Sequence, residues 1–392
     1  MTLSFPAGFL WGTSTAAAQI ETASDHNWRG LRARDGRILE RTTDHERRRS
    51  EDAGHIARFG TIYRCSVDWA RLQRAPRAAF APGVVAEYRA FFETLAERGV
   101  RVLLVLHHFA HPAWFEREGG FLWESNLEVF YDYVERCAEA FGDLVYAYNT
   151  FNEPNVFALS GYYTGDFPPH VKSLTKASRV LGNLGQAHLH AYELLKARFA
   201  DAPVGYALNT CFTEGQGLGG QTQARLFDWW FYSRTIGLFT PTDFVGLSYF
   251  AYLLFAPKLL TALDDAAEIE RRGIPHDDMW ALRPEGLAYN IRRVHRDAKV
   301  PVWIMENGTC TSDPARRIAV VTDYLRAVHG CIREGIPVLG YTHWSTWDGF
   351  EWHLGPTYRF GLLRVDEATL ERVNTPAADW YERICAANAI EV

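Results

Sequence analysis

The sequence has no CxxC pair and no tight cysteine cluster. Cys65, Cys137, Cys211, Cys310, Cys331 and Cys385 stand singly along 392 residues, a spacing that argues against a disulfide framework and fits buried free thiols in a reducing compartment. Basic charge is not in excess. Lys and Arg number 41 against 47 Asp and Glu, the net charge is −6 and the pI about 6.2, so no electrostatic case exists for nucleic acid or an anionic membrane. Long apolar runs are missing as well: the longest charge-free one, 244–257, is too short for a bilayer and is interrupted by Gly246, Ser248 and Pro257. The opening residues, Met1 to Phe9, carry neither a basic stretch nor a long apolar one, so no signal peptide is expected and the expected location is cytoplasmic. Linkers, low-complexity segments and short repeats are absent too, and a single domain over 1–392 is expected.

What is present is apolar and aromatic. At 47% hydrophobic and 14% aromatic the chain can bury a large core, and its 13 Trp exceed ordinary usage. Tryptophan is a common platform for sugar rings and flat apolar ligands, although core packing accounts for most such residues. Strand-like runs fall at 9–17, 61–69, 101–109, 144–151, 203–209, 243–250, 300–305 and 338–344. Helical patterns lie between and after them, at 51–59, 84–98, 126–141, 173–199, 224–237, 284–297, 315–334 and 376–386, with Gly60, Gly99 and Gly335 as stops. Eight repeated strand–helix units predict an α/β fold, a single (β/α)8 TIM barrel, whose site lies at the C-terminal ends of the strands. Two strand-to-helix connections are long, 21–43 and 252–279, the second containing a short helix and stop over 268–275. Such loops shape the mouth of a barrel.

Two of the runs end on a carboxylate. Val300, Val302, Trp303, Ile304 and Met305 lead directly to Glu306, followed by Asn307-Gly308. The run before Phe151-Asn152 leads to Glu153 and Pro154. For either glutamate alone, a capped or salt-bridged loop carboxylate is the plain reading. A pair at the mouth of one barrel points to acid/base and nucleophilic chemistry. His107, His108 and His111 invite a metal, but neighbours in a strand point to opposite faces and do not share an ion easily. No metal is expected.

These stretches carry a resemblance. Phe9 to Glu21, Tyr63 to Arg71, Leu106 to Pro112, Thr150 to Pro154, Met305 to Gly308, and Trp344 to Trp352 followed by Arg359 to Leu362 resemble, in order, motifs of the family 1 glycoside hydrolases, the retaining β-glucosidases and β-galactosidases. The resemblance implies hydrolysis of a small-molecule β-glucoside by double displacement without a cofactor, with Glu306 as nucleophile and Glu153 as general acid/base. It also implies Arg64 holding Glu306 ionised and Asn152 donating to the sugar 2-hydroxyl. Gln19, His108, Glu351 and Trp352 would bind the other glycone hydroxyls, with Trp344 offering its ring face. At Glu351, relatives that act on 6-phosphosugars carry a small residue, with a lysine-containing phosphate grip after it. Here a carboxylate stands instead and no Lys comes after Lys299, which favours an unphosphorylated glycone.

The chain also departs from the family pattern. Ser248-Tyr249-Phe250 stands where Asn-Tyr-Tyr is usual, so Phe250 lacks the hydroxyl that would donate to the nucleophile. Tyr249 or Tyr252, from a shifted strand end, could substitute. Phe109 replaces a usual Trp, and Asp348-Gly349 a usual Asp-Asn. The departures leave two alternatives: a transglycosidase of a specialised-metabolite pathway using the same glutamates, and a weakly active or non-catalytic sugar-binding barrel. The choice among glucose, galactose and fucose, and the oligomeric state, stay open at this point.

Overall fold

A computed structural model describes residues 1–22, 24–256 and 266–391. Eight parallel strands pair in chain order, and the eighth returns to the first: β1 (Leu10–Ser14), β2 (Ile62–Ser66), β3 (Arg101–His107), β4 (Val145–Asn152), β5 (Val204–Gly215), β6 (Phe244–Phe255), β7 (Val302–Asn307) and β8 (Val338–Trp344). The expected closed barrel is therefore what the chain forms. Alternation along each strand sorts the core into two layers. On β3, Leu103 and Val105 join Leu10, Ile62, Ala147, Ala207, Phe244, Trp303 and Met305 in the barrel's own interior. Val102, Leu104 and Leu106, one residue out of phase, pack outward in the larger core beneath the helices.

Those helices are α1 (His45–Ala57), α2 (Pro82–Glu97), α3 (Leu127–Phe141), α4 (Leu174–Arg198), α5 (Gly217–Asp228), α6 (Pro284–Ala298), α7 (Pro314–Arg333) and α8 (Pro376–Ala387). Helices α2, α6, α7 and α8 open on a proline, where the missing N–H has no helical partner to lose. The expected stops hold: Gly60, Gly99 and Gly335 take φ of +108°, +74° and +85°, which side chains disfavour.

Several boundaries differ from the sequence reading. Helix α1 begins at His45 rather than near residue 51, because its inner face is polar. His45, Arg49 and Asp52 are buried beside Ala53 and Ile56, so no apolar period announces the first turns. Run 61–69 ends early: Asp68 accepts from the N–H groups of Ala70 and Arg71 and starts a short helix, Trp69–Leu72. Strands β5 and β6 outrun their expected ends and continue past the barrel as a two-stranded ribbon, pairing Phe212 with Tyr252 and Gly215 with Phe255. Helix α5 starts on a glycine-rich turn that helix propensity argues against. It then passes through a wider turn, Trp229–Ser233, into Arg234–Leu238. Of the connection expected over 252–279, residues 257–265 lie outside the described ones. The short helix foreseen there forms at Ala266–Arg271, with Gly273 turning at φ +63°.

The strands carrying the two glutamates share one irregularity. Pairing of β7 with β6 steps from Leu247↔Ile304 to Ser248↔Glu306, and pairing of β4 with β5 steps from Asn149↔Gly205 to Asn152↔Ala207. The extra residue re-aims the side chains beyond it, as a bulge does. Met305 packs inside the barrel and Glu306, directly after it, lines the cleft at its mouth.

A buried ion pair anchors the segment after β8. Arg372 clasps Asp52 of α1 through Nε (2.8 Å) and Nη2 (2.7 Å), and gives Nη1 to the carbonyls of Thr43 and Leu370. Its guanidinium lies 4.9 Å over the ring of Trp347, which also packs 5.4 Å from the ring of His45. Both charged side chains are fully buried. Removing Arg372 leaves the buried Asp52 carboxylate with His45 Nδ1, at 2.7 Å, as its one remaining side-chain partner among the described residues. Arg372→Met should therefore cost about 3–5 kcal/mol in denaturant unfolding, with most of the loss recovered in Asp52→Leu/Arg372→Met. A single-variant loss below about 1 kcal/mol would contradict the anchoring role.

Candidate active site

The strand ends converge on a cleft of about 300 Å³ lined by His108, Glu153, Phe250, Glu306, Trp344, Glu351 and Trp352, among others. Gln19, Arg64 and Asn152 stand one contact behind it. The ten residues singled out from the sequence thus come together at one mouth.

Arg64 is fully buried on β2 and crosses the barrel. Its Nη1 donates to Ser14 Oγ at 2.9 Å and to Glu306 Oε1, while Nη2 donates to Asn152 Oδ1 at 2.5 Å. Because Asn152 offers its oxygen to Arg64, its amide nitrogen faces His108 Nε2, at 2.9 Å. An amide nitrogen only donates, so Nε2 must accept and the ring proton sits on Nδ1. His108 is then neutral, in keeping with burial and the nearby Arg64, which hold its pKa well below the usual range. Its Nδ1–H has no partner among the described residues and is free to donate to a ligand. The 3.7 Å approach of Nε2 to Glu306 is accordingly a contact of a neutral ring rather than an ion pair.

Glu153 comes directly after β4 with φ +43°, a conformation rare for a side-chain-bearing residue, and caps the helix Pro154–Leu159. Phe109 and Trp352, at φ +61° and +42°, bring the same strain to two more walls of the cleft. Glu153 Oε1 accepts from Asn209 Nδ2 at 3.0 Å. Burial raises its pKa, with Asn209 and Ser248 pulling the other way and Arg64 the weakest influence. Glu306 is pushed up to about 8 by burial, opposed first by Arg64, with Glu153 and then Glu351 pushing upward again. Glu351 is likewise raised by burial, against a hydrogen bond from Gln19. Arg64 acts on Glu306 and, more weakly, on Glu153 but not on Glu351, while each of the three carboxyls interacts with another, so their protons are coupled.

Gln19 lies on the short helix Ala17–Ile20, and its Nε2 reaches the Phe350 carbonyl and Glu351 Oε2, both at 3.0 Å. Its Oε1 is buried with no partner among the described residues. Trp352 packs on Trp28 (4.7 Å), Phe109 (5.2 Å) and His108 (5.8 Å), and the His108 ring is also 5.8 Å from Trp344. Gly308, just past the nucleophile candidate, lets the backbone close on Trp344, whose carbonyl leaves no room there for a Cβ. Phe250 lines the cleft and meets Phe360 edge-on at 5.8 Å. Neither neighbouring tyrosine replaces its missing hydroxyl: Tyr249 donates to the Arg283 carbonyl at 2.6 Å and Tyr252 to Glu214.

Sequence reasoning overlooked Asn209 and Ser14, the partners of Glu153 and Arg64. Both end expected strands or lie within them, and position at a strand's C-terminal end was the available signal. His107 turns away from the cleft into Phe121 and Phe157, with Nε2 3.2 Å from His111 Nδ1, and His111 meets Glu116 at 2.7 Å.

The model of Glycosyl hydrolase family 1 matches residues 1–223 and 238–390. Beta-glucosidase A of Thermotoga maritima is 28% identical over 99% of each chain, and Beta-glucosidase A of Acetivibrio thermocellus 26% identical over 98% of this chain and 99% of its own. Among solved structures, a beta-glycosidase from Pyrococcus horikoshii superposes with a TM-score of 0.91 at 29% identity, covering 100% of this chain and 97% of the other. The Thermotoga maritima beta-glucosidase in complex with deoxynojirimycin superposes equally well, with a TM-score of 0.91, at 25% identity over 99% and 100%. Agreement this extensive, resting on the same barrel and reaching both ends of it, makes the chain a member of glycosyl hydrolase family 1.

Proposed function

We propose that the protein is a retaining β-glycosidase acting on an unphosphorylated β-glucoside, with Glu306 as nucleophile and Glu153 as acid/base. The observation that carries the assignment is the unequal environment of the two carboxyls. Glu306 rests on the buried Arg64 guanidinium, whereas Glu153 meets a neutral amide, Asn209. A cation stabilises the charged form, so the carboxylate that must attack is the one on arginine. Burial raises both carboxyls in the empty cleft, and only Glu306 has a cation at hydrogen-bond distance to hold its charged form, which leaves Glu153 to carry the proton to the leaving oxygen.

The rest of the cleft supports the same division of labour. Arg64 and His108 fix Asn152 on both sides, leaving its second amide hydrogen to donate to the 2-hydroxyl as the oxocarbenium-like state develops. Unpartnered Gln19 Oε1 and His108 Nδ1–H offer one acceptor and one donor to other glycone hydroxyls. Glu351, an acceptor when ionised, suits a hydroxyl and repels a phosphate. Attack by Glu306 gives a glycosyl-enzyme as Glu153 protonates the departing aglycone. Glu153, now a base, then takes a proton from water, which attacks the same carbon and restores Glu306.

The reading is tested with a 2-deoxy-2-fluoro β-glucoside bearing an activated leaving group. Slow-turnover adduct should accumulate and map by peptide mass to Glu306. A label on another residue would refute the assignment, as would turnover of β-glucosides with no adduct formed.

Protonation coupling gives a second prediction. Free-enzyme ionisation of Glu306 sets the acid limb of kcat/KM, and burial with neighbouring negative charge places that limb above the ordinary 4.5. A nearby negative charge makes loss of a proton harder, so removing it must lower the pKa. In Glu351→Gln the acid limb should move to lower pH, whatever happens to the maximum rate. A limb that stays or rises would remove Glu351 from the coupling.

Phe250 supplies a third. With Tyr249 and Tyr252 engaged elsewhere, Arg64 is the donor Glu306 has among the described side chains. Phe250→Tyr should speed the pre-steady-state burst from aryl glucosides. An added charge-assisted hydrogen bond of about 1.5–3 kcal/mol sets a ceiling of roughly ten- to a hundredfold. A slower burst would show a site adapted to phenylalanine.

A further inference from the structure

Beyond the carboxyls the cleft changes character. Val156 and Leu159 come from the helix after Glu153, Phe227 and Phe231 from the α5 stretch, and Phe250 and Leu253 from β6. Phe227 and Phe231 stack at 4.8 Å, and Phe227 packs 5.5 Å from Phe255 of the ribbon. Ala224, Ala251, Leu253 and Phe255 form an apolar cluster of their own, separate from the two main layers of the barrel, with Phe227 and Trp280 against it. Polar side chains on this part of the wall are few. Asn209 is engaged with Glu153 and accepts from the Cys211 thiol at 3.5 Å, which leaves Ser160 and the Trp280 indole. Residues 224–237, the segment supplying Phe227 and Phe231, are also the internal stretch that the family model passes over, so these two side chains lie outside the shared pattern.

From this wall we infer that the enzyme takes β-glucosides of an alkyl or aryl alcohol in preference to those whose leaving group is a second sugar; the inference rests on the glycosidase reading above. A second sugar brings several hydroxyls, and each one buried against phenylalanine and leucine without a partner costs about 1–3 kcal/mol. An alkyl chain gains on the same surface with every methylene removed from water. Because the aglycone leaves in the first chemical step, its contacts act on kcat/KM for that step.

The test is a series of n-alkyl β-D-glucosides from methyl to hexyl, run beside cellobiose and 2,4-dinitrophenyl β-D-glucoside. The alkanols differ little in acidity, so the chemistry is constant and only burial changes. Expected is a rise in kcat/KM of about fourfold per methylene, roughly fiftyfold from methyl to butyl, with cellobiose at least tenfold below hexyl. Leu253→Asn and Phe231→Ser should flatten that slope, read as the hexyl-to-methyl ratio within each variant, which a general loss of folded protein does not change. A flat series in the native enzyme, or cellobiose equal to or better than hexyl, overturns the inference while leaving the glycosidase reading intact. Absence of hydrolysis even of the dinitrophenyl glucoside overturns the glycosidase reading itself, and this inference with it.

Discussion

One guanidinium holds the mouth of the barrel together. Arg64 begins on β2 and its donors end on Ser14 of β1, Asn152 of β4 and Glu306 of β7. Four strands far apart in sequence are thus tied through a group that cannot lose its charge and cannot be left unpaired in the interior. The arrangement is possible only because the sheet closes, which brings β2 and β7 to face each other across the interior. It also explains how Asn152 and His108 are oriented. Each takes the proton arrangement that the arginine leaves to it, so orientation spreads outward from a single buried cation.

Around that cation the backbone holds conformations that side chains ordinarily avoid. Glu153, Phe109 and Trp352 each have positive φ, and each borders the cleft. Such conformations persist because surrounding contacts over-determine them. Trp352 is held by Trp28, whose indole N–H donates to the Phe109 carbonyl at 3.0 Å, so two of the three strained residues share one support. Trp347, on the same segment, is held in turn by the Asp52–Arg372 pair on the barrel's flank. Stability is stored outside the cleft and spent inside it.

How much of this could be read in the sequence depended on which signal each feature left. The barrel and the two glutamates were legible because an apolar run ending in a carboxylate is a local pattern, repeated in the right places. Helix α1 lost its first two turns to the reading because its inner face is His45, Arg49 and Asp52, and an ion-paired face carries no hydrophobic period. The continuation of β5 and β6 past the barrel was hidden because Thr213 and Glu214 look like a strand's end until Leu253 and Leu254 are seen beside them. The direction of Glu306 was illegible for another reason. Strict alternation would put it opposite Met305, and only the irregular pairing against Leu247 and Ser248 turns both toward the interior. Asn209 illustrates the remaining gap, since a lone amide at a strand end gains meaning only when Glu153 lies 3.0 Å away.

The three carboxyls gathered at one mouth make the cleft a store of protons as well as a catalytic site. With Glu306 and Glu351 pushed up to about 8 by burial, and Glu153 raised as well, the empty enzyme holds hydrogen ions near neutral pH that the same groups in water would have released. A ligand that brings its own positive charge supplies the missing counterion, and the carboxyls beside it then ionise. Binding of a protonated amine is in this way an exchange, ligand in and hydrogen ion out. Its apparent strength rises with pH until either the store is empty or the amine itself loses its charge.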